Sequence, residues 1–248
     1  MKQNPETTLV TGGASGIGAA IVRAHAARGD NVAFTYWSSE AEALALVEEL
    51  GGQVLAMHAD TTNEEQVEHS FAQAVERFGQ VDALVANSGG LLARAKCADM
   101  TLEFWNQAMA LNLTSTFLCC RAALRHMVPR QQGSLVLMSS LAGHDGGGPG
   151  ASHYGAAKGA LIAYTHALAK EVGPDGVRVN ALAPGLIATR FHEVFNTPQG
   201  RLAGVERTAL RREGQPEDVA NAALFLTSKA ASFITGEVLE INGGMAFY

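Results

Sequence analysis

Cysteine is scarce in this chain: Cys97, Cys119 and Cys120 are all that 248 residues contain. They show no metal-ligand spacing and are too few for a disulfide framework. The adjacent Cys119 and Cys120 are expected to pack as small apolar residues in a helix. Eight histidines are scattered without a His-x-x-x-His pair, so no metal is expected. No apolar run reaches the ~18 residues of a membrane span, and Met1 to Glu6 is polar, unlike a signal peptide. A cytoplasmic protein with no membrane partner is expected. Basic residues are not in excess: the net charge is −6 and the pI near 5.7. That balance argues against a nucleic-acid surface and serves solubility. No Pro/Ser-rich linker, composition break or internal repeat divides the chain.

Short apolar segments alternate with amphipathic ones of helical length. Strands are expected at Thr7–Thr11, Asn31–Tyr36, Gln53–Ala59, Val81–Ala86, Leu135–Ser139, Val177–Leu182 and Val238–Ile241. Helices are expected at Ile17–Arg28, Ser39–Leu50, Asn63–Phe78, Leu102–Met127, Tyr154–Val172 and Pro216–Leu226. This rhythm predicts an α/β fold, a single doubly wound domain over residues 1–248 with a seven-stranded parallel sheet and helices on both faces. The strands are apolar nearly throughout, as when both faces are buried. Gly185 to Arg207 has no clear period and reads as a lid or substrate loop.

Tyr154 and Lys158 stand four residues apart at the start of a predicted helix, so both side chains share one face. An ammonium near a phenol favours the phenolate, and the tyrosine pKa is expected to fall from about 10 toward the range of a general acid or base. The dull alternative is a surface polar pair.

Thr11-Gly-Gly-Ala-Ser-Gly-Ile-Gly18 joins the first strand to the first helix. Gly12, Gly16 and Gly18 suit a tight turn, close backbone approach to a pyrophosphate, and a helix N-terminus open to the anion. A glycine-rich turn without ligand is the competing reading; the place between strand and helix favours a nucleotide. The second strand ends at Tyr36-Trp37-Ser38-Ser39, with neither the carboxylate that holds an NAD ribose nor an arginine. Ser38 and Ser39 offer hydroxyls to a 2′-phosphate, and Glu40 is expected inside the helix, so NADP(H) is favoured over NAD(H).

Taken with Asp60, Asn87-Ser-Gly-Gly90, Asn112, Ser140, Asn180-Ala-Leu-Ala-Pro184-Gly185 and the tail Gly236 to Gly244, these motifs resemble the short-chain dehydrogenase/reductase family over essentially the whole chain. Among its members the chain resembles 3-oxoacyl-acyl-carrier-protein reductases and related sugar or alcohol dehydrogenases. The resemblance implies an NAD(P)(H)-dependent oxidoreductase that interconverts a ketone and a secondary alcohol. It implies Tyr154 as general acid in reduction and base in oxidation, and Lys158 lowering its pKa and bonding the nicotinamide ribose. Ser140 would polarise the carbonyl, and Asn112 would hold a water that relays protons to Lys158. Gly12, Ser15, Gly16, Ile17 and Gly18 would bind the dinucleotide with Ser38, Ser39, Asp60, Thr61, Asn87 and Gly89. Pro184, Gly185, Ile187 and Thr189 would border the carboxamide. Asp60 contacts the adenine in this reading, and could also cap the next helix. A homotetramer is implied, with Leu113, Phe117, Leu118 and Leu124 as a helix surface or as core.

Three positions depart from the family pattern: Asn87-Ser88-Gly89-Gly90 replaces Asn-Asn-Ala-Gly, Asn242 replaces Asp, and the rim His144 to Gly150 is unusually glycine-rich and expected to be mobile. His144 and His153 flank the rim without a catalytic role. Leu91, Leu92, Leu141, Leu186, Phe191 and Phe195 suggest a partly apolar pocket, which fits an acyl β-ketone better than a free sugar. Two other classes remain open: a catalytically silent dinucleotide sensor, and a methyltransferase on the same sheet, which would not need the Tyr154–Lys158 pair.

Overall fold

The computed structural model describes residues 5–248, so the reading of the N-terminus falls, for residues 1–4, outside the described residues. Seven strands form one parallel sheet: β1 (Thr7–Val10), β2 (Asn31–Tyr36), β3 (Val54–His58), β4 (Ala83–Ala86), β5 (Gly133–Met138), β6 (Val177–Pro184) and β7 (Val238–Ile241). Their order is β3-β2-β1-β4-β5-β6-β7. The helices are α1 (Gly16–Arg28), α2 (Glu40–Leu50), α3 (Glu64–Phe78), α4 (Leu102–Met109), α5 (Ser115–Met127), α6 (Ala142–Asp145), α7 (Ser152–Val172), α8 (Arg190–Phe195), α9 (Pro198–Arg207) and α10 (Pro216–Thr227).

Strand neighbours point to opposite faces, which divides the core in two. Leu9, Leu84, Leu135 and Leu137 pack with α3, α5 and α7 through Val67, Phe71, Leu118 and Leu161. Val10, Val85, Val136 and Met138 pack with α1, α2 and α10 through Ile21, Leu46, Val219 and Leu226. Each fully buried Leu contributes roughly 1.5–3 kcal/mol relative to exposure. Cys119 and Cys120 are buried in the first of these layers, where burial pushes the Cys119 thiol up to about 12. Leu118 belongs to the same core, whereas Phe117 is exposed on α5. Only Phe117 of that pair therefore offers surface to a second copy.

β1 pairs with both β2 and β4, so the strand order reverses there. The connections leaving the C-terminal ends of β1 and β4 diverge and open a crevice, where α/β sheets bind ligands. Two departures from the sequence reading bear on this crevice. The helix expected over Leu102–Met127 has a wide π turn at Ala110–Thr114, around Asn112. Moreover, the segment after β6, read as aperiodic, contains the helices α8 and α9. Among the described residues, no helix is long and apolar enough to cross a membrane.

Candidate active site

The crevice is a cleft of about 580 Å³ at the C-terminal ends of the strands. At its floor Gly12 takes a left-handed φ of 63° and Gly16 one of 53°. A methyl group on Gly18 would collide with the Gly12 carbonyl oxygen and come within 2.8 Å of Asn87 Nδ2. The turn is braced from β4: Asn87 Nδ2 donates to the carbonyls of Thr11 and Gly12 at 3.0 and 3.1 Å. The Thr11 hydroxyl accepts from the amides of Asn87 and Ser88, both at 2.9 Å. Ser15 at the N-cap of α1 makes no side-chain cap bond, and no acidic residue occupies the first turn. The helix thus presents unclaimed amides and its positive dipole end to the cleft, which fits a pyrophosphate.

At the β2 end the cleft is lined by Tyr36, Trp37, Ser38, Ser39 and Glu42, with Asp60 and Thr61 opposite. Ser39 caps α2 without a side-chain bond, so its hydroxyl is available. Trp37 stacks on His58, ring centroids 4.9 Å apart. Asp60 does not cap α3; that position belongs to Asn63, whose Oδ1 accepts from Gln66 N at 3.1 Å. Asp60 Oδ1 instead accepts from the amide and hydroxyl of Thr62 at 2.8 and 2.7 Å, closing the turn that precedes the cap.

At the other end lie Ser140, Tyr154 and Lys158, with Pro184, Gly185, Ile187 and Thr189 on the wall. The Lys158 ammonium is 5.6 Å from the centre of the Tyr154 ring and donates to Met138 O at 2.7 Å. Burial brings the Lys158 pKa down to about 8. The Tyr154 phenol behaves differently from the sequence expectation: burial raises its pKa, and a hydrogen bond with the Ser140 hydroxyl offsets this only in part. Spacing brings lysine and phenol to one face, but burial is the largest influence on the phenol. The resting phenol is therefore protonated at neutral pH, which suits proton donation.

Asn112 is absent from the cleft wall. Its Nδ2 donates to Gly90 O at 2.8 Å and Ala108 O at 3.0 Å, and its Oδ1 accepts from Gly90 N at 2.9 Å. Both side-chain donors are taken, so this amide braces the loop after β4. A Cβ on Gly89 would fall 2.8 Å from Asn112 Oδ1 and 3.1 Å from Lys158 Nζ. Only glycine lets the loop pass this close.

Of the six residues expected to make an apolar pocket, Phe191 lines the cleft, its ring 5.9 Å from that of Tyr154. Leu91 and Leu141 are buried in the protein, and Leu186 faces a separate hollow beside β7. Hydrophobicity marks core and pocket alike, and here half of the six are buried while Leu92 is exposed. Residues the sequence did not single out include Glu42, Ser88 and Leu111, which share the wall with Arg190 and His192 of the expected substrate loop. Arg190 and His192 lie in the segment after β6, where the rule that ligands sit at strand C-termini placed the substrate loop.

The geometry is that of a dinucleotide cradle leading to a tyrosine–lysine–serine cluster, and the comparisons agree. A family model described as enoyl-(acyl carrier protein) reductase matches residues 12–246. The chain is 37% identical to the 3-oxoacyl-[acyl-carrier-protein] reductase of Synechocystis sp., covering 98% of both chains. It is 35% identical to glucose 1-dehydrogenase 2 of Bacillus subtilis, over 98% of this chain and 95% of that one. A short-chain dehydrogenase/reductase from Serratia marcescens, solved as a double mutant, matches with TM-score 0.90 at 31% identity over 98% of each chain. The class is that of nicotinamide-dependent oxidoreductases acting between ketones and secondary alcohols. More particularly, this chain belongs to the short-chain dehydrogenase/reductase family.

Proposed function

We propose that the chain reduces the ketone of a 3-oxoacyl thioester with NADP(H), Tyr154 supplying the proton. The observation that carries this reading is the convergence of Ser140, Tyr154 and Lys158 at one end of a cleft whose other end is the glycine cradle. When bound in this cradle, a nicotinamide would supply the hydride. Ser140 donates a hydrogen bond to the substrate carbonyl, aligning it for attack. Tyr154 gives its proton to the oxygen as negative charge develops there. Lys158 spends one of its three donors on Met138 O, leaving two for the nicotinamide ribose. Its charge offsets the phenolate left after transfer. Asn112 and Gly89 hold the loop that keeps the ammonium in place.

The preference for NADP(H) rests on the free Ser39 hydroxyl and on a β2 tip without acidic residues. Glu42 is the opposing charge, one turn into α2 and exposed. The acyl substrate class is supported by the likeness to the Synechocystis reductase and by the Phe191 ring over Tyr154. A sugar or polyol is the second reading, supported by the similar likeness to the Bacillus glucose dehydrogenase. The further parts of the proposal are one nucleotide-binding domain with a substrate loop at 185–207, a cytoplasmic location, and a homotetramer using the exposed Phe117 surface. Cofactor consumption with NADPH and NADH separately, across β-ketoacyl thioesters, sugars, polyols and hydroxysteroids, tests it. Thioester reduction with NADPH at the highest kcat/KM supports the proposal; selective oxidation of a sugar with NAD would replace it.

A further inference from the structure

We infer that Arg94 is a positioning residue, a latch that joins the pocket rim to the α8 lid and holds Phe191 over Tyr154. The inference rests on the reading of Tyr154 as the proton donor. Arg94 lies in the loop after β4, and its guanidinium reaches two other segments. Nη1 donates to Pro149 O at 2.9 Å, on the rim that leads into α7 and Tyr154. Nε and Nη2 donate to Phe195 O at 3.3 and 3.2 Å, and Nη2 to Asn196 Oδ1 at 3.4 Å, at the end of α8. A planar, always charged fork can span such divergent acceptors, which a lysine ammonium cannot do from one position.

Both ends of this bridge bear on the chemistry. Phe195 packs against Phe191 with ring centroids 5.1 Å apart, and Phe191 lies 5.9 Å from the Tyr154 ring. The chain of contacts thus runs from Arg94 through the lid to the reacting phenol. The same side chain accounts for the glycine-rich rim. A Cβ on Gly148 would sit 3.3 Å from Arg94 Nη1, and one on Gly150 would sit 3.1 Å from Arg94 Cβ and 3.2 Å from Ala95 N. Ala95 N also donates to Gly150 O at 3.0 Å. These glycines let the rim lie flat under the arginine, so the segment expected to be mobile is held down. The lid is otherwise held at its surface, by the Arg201–Glu213 pair of α9 and the Phe191–Tyr154 contact; neither α8 nor α9 has a buried residue, and such segments open locally at low free-energy cost.

The test compares wild type, Arg94→Met and Arg94→Lys in the full-length protein by amide hydrogen exchange and steady-state kinetics. Methionine keeps much of the aliphatic bulk and removes the donors. Exchange at the α8 amides should speed up by about five- to tenfold in Arg94→Met, from the loss of several exposed, charge-assisted hydrogen bonds. Exchange in the sheet should be unchanged. The KM for the ketone should rise by a similar factor with kcat within about twofold, since the latch orders the pocket and does not touch the proton. Arg94→Lys should recover only part of both effects. Unchanged α8 exchange in Arg94→Met would overturn the latch, and faster exchange with unaltered KM would overturn its positioning role. If the wild type turns over no ketone, the reading of the site fails, while the exchange experiment still decides whether the latch exists.

Discussion

Replacing Lys158 with methionine should stabilise the protein while destroying its activity. Lys158 is 3% exposed, and its pKa is brought from 10.5 to about 8 by burial. At pH 7 the folded state must hold a charge it disfavours, and that shift corresponds to about 3 kcal/mol. Methionine removes the charge but leaves Met138 O without its donor, a loss of about 1 kcal/mol. The net gain is about 2 kcal/mol, or roughly 4–8 °C in Tm for a chain of this size. The pH dependence fixes the sign. Between about pH 8 and 10.5 the unfolded lysine is protonated and the folded one is neutral. The unfolded state therefore binds more protons, and wild-type stability from this residue rises with pH. The advantage of Lys158→Met should consequently be full at pH 7 and shrink as pH approaches 10. Thermal unfolding of the cofactor-free proteins across this range, with turnover measured alongside, is the assay. A variant that melts at or below wild type at pH 7, or an advantage that grows with pH, would refute the reasoning.

Other substitutions probe the cofactor end. Gly18→Ala would press a methyl group on the Gly12 carbonyl and Asn87, and overpacking of this kind costs about 1–3 kcal/mol. Dinucleotide affinity by fluorescence titration should fall with Tm; unchanged affinity would remove the close-approach argument. Glu42→Gln should raise the preference for NADPH over NADH by about three- to fivefold at low ionic strength, as expected for one exposed charge. A preference unaltered by that change would place the 2′-group elsewhere.

The sheet was legible because its strands are buried on both sides, so Leu9 and Val10 serve different cores yet read as one apolar run. That the glycine turn, Ser140, Tyr154 and Lys158 share one cleft was legible because the proposed chemistry demands particular residue types at set spacing. The lid helices were not, since α8 is six residues long and neither α8 nor α9 buries a face, so no hydrophobic stripe betrays them. The direction of the Tyr154 pKa was not legible because sequence reports the four-residue spacing but not the burial of the phenol. The bond of the Asn112 amide to Gly90 was not legible, because it depends on a π turn that no local pattern announces. Arg94 was invisible for a related reason: a cation in an aperiodic loop carries no sign of the carbonyls it will meet.

The measurement that bears most directly on the central claim is turnover of Tyr154→Phe at saturating cofactor, alongside its cofactor affinity. The phenol is the proton donor in this account, so kcat should fall by about 10²–10⁴-fold, the usual contribution of general acid catalysis, while affinity stays within about threefold because the cradle is untouched. A phenylalanine variant that reduces its ketone at close to the wild-type rate would contradict the account.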